Sequence, residues 1–326
     1  MMTWFRHALP DNRGRLLDRM LIWAAALFVV AIVAFAAYYY LDRRLQNDDA
    51  ATVTAQHELA VYEQAVRDDP QDVSARGALA QLYFAAGRYD EAIEQFQAVL
   101  TLDETSIAAL LGLGRAQLAA DDPTAAAESF EKIITLTADA EMGSASVEAA
   151  RYYAGSIALD QQRPADAIAH LKEAVAMEPG DADAWHMLGA AFLANGDLDE
   201  AIAALSRAVL FVPNFTEAYE KLASAYEAKG MAGETSYAQG MAAYSRGQHG
   251  EAIRELQAAT EASPSFAPAY AGLGLTYEAR SERDLAIGAY QRALQLDPAD
   301  FTAQTGLARL SAPATPNAAE PTRTAP

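Results

Sequence analysis

Five histidines, His7, His57, His170, His186 and His249, are the residues of this chain best suited to metal or proton chemistry. Their spacing serves neither. No two stand at a metal-ligand interval, and no H-E-x-x-H occurs. There is no cysteine, which excludes disulfides and thiolate-held zinc, iron–sulfur or haem. No G-x-S-x-G, phosphate-binding loop or dinucleotide fingerprint appears. Gly112-x-Gly114 lies inside a helical pattern and reads as structural. The carboxylate pairs Asp90-Glu91 and Asp199-Glu200 stand where helices begin, and there they stabilise the positive end of the helix dipole. No residue set points to catalysis, a metal or a cofactor. The chain reads as a non-enzyme whose side chains do recognition rather than bond chemistry.

Charge narrows the kind of recognition. The formal net charge is −20 over 326 residues. Residues 1–41 carry Arg6, Arg13, Arg15 and Arg19 against Asp11 and Asp18, so the remainder is more acidic still. So acidic a body repels nucleic acid and anionic headgroups. Protein or peptide partners remain.

The elements that must position such residues are legible. Residues 1–20 form a polar N-terminal segment. Residues 21–41, LIWAAALFVVAIVAFAAYYYL, hold no charge, proline or glycine. At 1.5 Å per residue a helix of that length spans roughly 30 Å, the thickness of a bilayer core. Trp23 and Tyr38, Tyr39 and Tyr40 sit near its two ends, as interfacial aromatics do. The expectation is a single-pass transmembrane helix. The competing reading is a cleaved signal peptide, for which Ala34-Phe35-Ala36 resembles a cleavage site. The length of the run and its tyrosine flank favour the anchor. Four arginines precede the span and Arg43 and Arg44 follow it, so the N-terminus is expected in the cytoplasm and the body outside it. Residues 42–57 read as an acidic stalk.

Helical periodicity then takes over. From Glu58 to Asp69, Tyr62 and Ala65 share one face, and Pro70 stops the run. Units of two helices follow, spaced by 34 residues where they are regular. Their first helices start near Val73, Ile107, Glu148, Ala182, Gly233 and Ala267. Small residues such as Gly189 with Ala201, or Gly274 with Ala286, fit a close crossing of paired helices. Gly87, Gly196, Gly230 and Gly247 suit a left-handed residue ending a first helix. Asp122-Pro123 reads as an N-cap followed by the first helical residue. Pro179, Pro213, Pro264 and Pro298 close second helices. Two irregularities interrupt the period. Residues 141–147 are extra. Residues 216–232 hold a first helix (Tyr219, Leu222, Ala223, Tyr226) with no second helix, so a joint is expected near Gly230–Gly233. That divides the array into 58–232 and 233–310, the latter ending in a capping helix from Phe301 to Leu310. Residues 311–326 are rich in Pro, Ala and Thr and read as a disordered tail.

The W-x2-L-G-x2-F beginning at Trp185, the Y-x2-L-G-x2-Y beginning at Tyr270, the later alanines, the prolines and the period together resemble the tetratricopeptide repeat family, over roughly residues 58–310. The resemblance implies an all-α helix-turn-helix solenoid following the transmembrane helix, with a concave groove for partner segments lined by first helices. Carried over by repeat position, the groove candidates are Phe84, Arg115, Tyr152, His186, Tyr237, Met241 and Tyr244, with Gln81, Leu111, Leu118, Ser156, Leu193 and Glu220 beside them. Members that bind acidic chaperone tails carry a Lys-and-Asn clamp. Here those places hold Gly77 and Gln81, Leu111 and Arg115, and Tyr152 and Ser156, so the clamp is absent. The mix of aromatic and aliphatic residues implies an apolar or amphipathic partner segment. The expected function is a membrane-anchored scaffold for envelope assembly, secretion or protein maturation at a bacterial inner membrane. The alternative is a cytoplasm-facing adaptor that regulates or assembles a membrane complex.

Overall fold

A computed structural model describes residues 54–138 and 145–311. The expected transmembrane helix at 21–41, the first segment, most of the stalk, the tail from 312 and residues 139–144 of the extra stretch lie outside the described residues. Among those described there are fifteen helices and no strand. None of the helices among the described residues is long and apolar enough to cross a membrane.

The helices fall into two compact units, dividing between Leu102 and Asp103. The first comprises α1 (54–68), α2 (Val73–Ala85) and α3 (Tyr89–Leu102). Tyr83 of α2 donates a hydrogen bond to Glu63 of α1 at 3.0 Å, and the Arg88 guanidinium lies 4.3 Å from the Tyr83 ring centre. Burial raises the Tyr83 pKa, and the hydrogen bond to Glu63 raises it further.

The second unit holds α4 (Ile107–Ala119), α5 (Pro123–Leu136), α6 (Ala145–Asp160), α7 (Pro164–Met177), α8 (Ala182–Asn195), α9 (Leu198–Phe211), α10 (Thr216–Ala228), α11 (Ala232–Ser245), α12 (His249–Ala262), α13 (Ala267–Ala279), α14 (Arg283–Leu296) and α15 (Phe301–Ser311). Each helix packs on the next along the chain. The expected joint at Gly230–Gly233 falls inside this unit, where α10 packs on α11 and α11 on α12. The capping segment is the helix α15, packed on α13 and α14.

The crossing of paired helices has one recurrent construction. A large residue of the second helix enters a notch left by glycine on the first. A Cβ built on Gly189 would lie 2.5 Å from Leu205 Cγ and 3.2 Å from the Leu205 backbone nitrogen. The nearest atoms to Gly189 thus belong to Leu205 rather than to Ala201, and those to Gly274 belong to Tyr290 rather than to Ala286. The alanines four residues earlier are nonetheless sealed: Ala201, Ala252 and Ala286 are wholly buried. Such close packing is the main source of stability, because area removed from water counts at about 25 cal/mol per Å².

The helix ends follow the local chemistry. Asp122 accepts from the Ala125 amide at 3.0 Å with Pro123 opening α5, as expected from the pair. Gly87, Gly196, Gly230 and Gly247 all have positive φ. At three equivalent turns the chain supplies Asp121, Gln162 and Ser281 instead, at φ of 63°, 58° and 63°. A side chain there carries strain that glycine avoids.

Candidate partner-binding surface

Contacts between first helices are selective. Within the second unit α4 packs on α6, α6 on α8 and α8 on α10. The intervening second helices are not packed backbone to backbone, although His170 Nε2 of α7 reaches Glu131 of α5 at 3.2 Å. Tyr152, His186 and Glu220 therefore occupy one repeat position on three consecutive, touching helices. They form a surface that runs without a break across several repeats.

Between α6 and α8 it is hollowed into a pocket of about 310 Å³. Glu148, Tyr152 and Tyr153 of α6 line one side, and Asp181 and Asp183 at the start of α8 line the other. Local folding explains the placement. Asp181 is the N-cap of α8 and accepts from the amides of Asp183 and Ala184 at 2.9 and 3.1 Å. The Trp185 indole donates to the Pro179 carbonyl at 2.9 Å and fixes the approach to that cap. On α6, Tyr153 stacks on Phe130 at 5.0 Å between ring centres, and Tyr152 stands edge-on to Tyr153 at 5.5 Å.

The electrostatics of this pocket are one-sided. Among the described residues, Glu148, Asp181 and Asp183 take part in no ion pair. Burial raises the pKa of Glu148, and the negative charges of Asp181 and Glu178 raise it further. Burial, then Asp183 and Asp181, raises the Tyr152 hydroxyl. A cation entering here would gain carboxylate partners and aromatic rings at once.

The other predicted residues are dispersed. Phe84 belongs to the first unit, where it is half-buried against Tyr89 at 5.7 Å. Arg115 is exposed on α4. His186 is half-buried on α8, 5.0 Å from the Phe215 ring, and its Nε2 is enclosed without a hydrogen-bond partner. Burial, then the nearby Lys221 charge, lowers its pKa. Met241 departs from the expectation of a groove residue. It is 4% exposed, and its sulfur lies against Gly272. Tyr237 is half-buried, edge-on to Tyr219 at 6.3 Å and to Phe266 at 5.2 Å, and it hydrogen-bonds Tyr219 through the hydroxyls. Burial pushes the Tyr219 hydroxyl up to about 12 and raises that of Tyr237 as well. Tyr244 is half-buried beside His249 at 5.8 Å. These α11 residues chiefly build the packing there.

Sequence reasoning missed Glu148, Asp181 and Asp183. The available signal was position: Glu148 stands one turn before Tyr152 on α6, and Asp181 and Asp183 open the next first helix, but acids at helix starts read as dipole partners. Among the described residues no group of three or more histidine or acidic side chains is placed to hold a metal ion.

Two tetratricopeptide repeat models match the chain, one over residues 84–146 and 158–230, the other over 59–107 and 237–317. No curated protein matches it. Among solved structures, the C-terminal part of a repeat-containing protein from Cytophaga hutchinsonii is 15% identical, with 78% of this chain and 95% of that one covered and a TM-score of 0.50. That is a likeness of fold. MamA is 28% identical over 53% of this chain and 97% of its own, with a TM-score of 0.48. YrrB, described as a repeat protein with an unusual peptide-binding site, is 19% identical over 64% and 95%, with a TM-score of 0.47.

Proposed function

The chain belongs to the tetratricopeptide repeat family, and we propose that it is a non-catalytic scaffold that holds basic segments of partner proteins on the α6–α8 surface. One observation carries the reading. The α6–α8 pocket joins two tyrosine rings to three carboxylates that have no ion pair among the described residues. Lysine or arginine satisfies both features, its stem on the rings and its charge on the acids. The expected apolar or amphipathic segment thereby becomes a cationic one.

We further propose that residues 21–41 anchor the scaffold in a bacterial inner membrane, with the repeats outside the cytoplasm and serving envelope assembly, secretion or protein maturation. The uncharged apolar run and the arginine excess before it support this arrangement.

Two experiments test these statements. Crosslinking in cells, followed by identification of what is captured, should yield partners with exposed basic segments. Their capture should fall when Glu148→Gln and Asp183→Asn are combined; unchanged capture by a folded variant sinks the pocket. A reporter active only outside the cytoplasm, fused after Leu310, should be active. Silence there, with activity from a cytoplasmic reporter, would favour the cytoplasm-facing adaptor.

A further inference from the structure

The array contains one helix too many for a simple alternation, and a second surface arises from it. α10 carries the large and small residues of a first helix, with Tyr219, Leu222, Ala223 and Tyr226 buried. α11 follows at once and is also a first helix by construction, because Gly240 receives Leu256 of α12 as Gly189 receives Leu205 of α9. No second helix stands between them. Helices alternate between two layers, so one unpaired helix exchanges the roles of the layers. The contacts record the exchange. First-helix contact runs α4–α6, α6–α8 and α8–α10, then passes to α11–α13 and α13–α15. α10 and α12 share a layer but do not pack on each other.

Their separation leaves a cleft of about 450 Å³ over α11. Its floor includes Ala242 and Ala243 of α11, and small floor residues leave room for a side-chain stem. Its walls are Glu220 and Glu227 of α10 and Glu251 and Glu255 of α12. The lining holds a single cation, Arg246, which is ion-paired to Glu220 across the cleft. Arg254, on α12 beside it, is paired with Glu251 and Glu255 at 3.5 and 3.1 Å. Glu227 has no ion pair among the described residues. The walls thus carry more negative charge than Arg246 and Arg254 offset.

We propose that this cleft is a second docking site, for an arginine- or lysine-bearing segment of a partner protein, and that Arg246 occupies it as an internal stand-in until the segment arrives. The choice of occupant rests on charge complementarity between the glutamate walls and a basic side chain whose stem crosses the alanine floor. The proposal is independent of the α6–α8 reading, since the two sites share no helix.

The test uses the full-length chain in a neutral detergent and a fluorescein-labelled nona-arginine peptide as probe, followed by anisotropy. All variants carry Glu148→Gln and Asp183→Asn, which remove the first site. Adding Glu227→Gln with Glu251→Gln should weaken binding about fivefold, the scale of one well-placed exposed charge interaction. Adding Glu104→Gln with Glu128→Gln, two exposed acids outside the cleft, should leave it within the error of the measurement. Adding Arg246→Gln alone should tighten binding by a similar factor, because Glu220 is released. Equal losses in the two glutamate variants would mean general attraction to an acidic protein and would overturn the proposal. So would unchanged or weakened binding on Arg246→Gln in a variant whose helical circular dichroism is intact.

Discussion

The α8–α9 pair and the α10–α11 pair begin with helices of the same pattern and reach different ends. In α8, Gly189 opens a notch and Leu205 fills it. In α10 the corresponding residue is Ala223, which is buried at 7% exposure, and the helix that follows is another first helix. The notch recurs one helix later, between Gly240 and Leu256. Residue pattern therefore states what a helix can receive, while its layer is decided by how many helices precede it.

Removing the inserted side chain gives the largest effect and tests whether the regular and irregular regions are equally well built. Leu205 and Leu256 are both fully buried. Leu205→Ala and Leu256→Ala should each cost about 2–5 kcal/mol, read by chemical denaturation with hydrogen exchange to locate the loss. A clearly smaller cost at Leu256 would show that the pairing after the extra helix is looser. Gly189→Ala should cost roughly 1–3 kcal/mol from overpacking, more than the up to ~1 kcal/mol that alanine's helix propensity returns. If Gly189→Ala stabilised the protein, the notch would not be a constraint.

Smaller effects sharpen the turns. Gln162→Gly and Ser281→Gly should each stabilise by about 1 kcal/mol, since both residues sit in left-handed conformation. Gly196→Ala, at φ 87°, should lose a similar amount. Thermal melts of the three variants decide the sign.

The mildest effects are those of pH. His186 has a folded pKa below its unfolded value of 6.5 because it is buried. The unfolded chain takes up that proton first, so the stability it contributes is present above 6.5 and is lost as pH falls through the lowered folded value. His186→Gln should flatten the acid side of the melting-temperature profile. Glu278 gives a second window. Arg309 donates to it at 2.5 and 2.7 Å and lowers its pKa, as does Tyr290 at 2.9 Å. Its contribution is present above the ordinary glutamate range and is lost as pH falls below it. Arg309→Gln should loosen the α13–α15 end near neutral pH and flatten its acid dependence, as seen by hydrogen exchange. An unchanged acid profile would assign the cap's hold to packing alone.

Much of the fold was legible because its constraints are local. Trp185, Gly189 and Pro213 each act within a helix or at its end, so a fixed order of residue types maps directly onto a helix pair. The site was less legible. Tyr152 was found through its repeat position, but Met241 was placed in a groove on the assumption that α11 faces as α8 does. Its burial comes from the close approach of α13, whose Gly272 lies against the Met241 sulfur, a contact between helices that no local pattern states. The pattern shows close crossings at Gly189 and Gly274, and the structure adds that Leu205 and Tyr290 fill them, since the sequence shows that a notch exists and not which side chain enters it. Asp181 and Asp183 do two jobs, capping α8 and lining the pocket, and the capping motif alone accounts for their presence.

The layer exchange has one more consequence. Adjacent helices joined by short turns run antiparallel, so in an unbroken array every first helix points the same way. After α10 the sense is reversed: α11, α13 and α15 point against α4, α6, α8 and α10. The two first-helix surfaces of this unit consequently have opposite polarity. An extended chain read in one N-to-C direction across α6 and α8 would have to turn round to be read alike across α11 and α13. A single straight segment cannot satisfy both, whereas a hairpin, or two strands running in opposite directions, can.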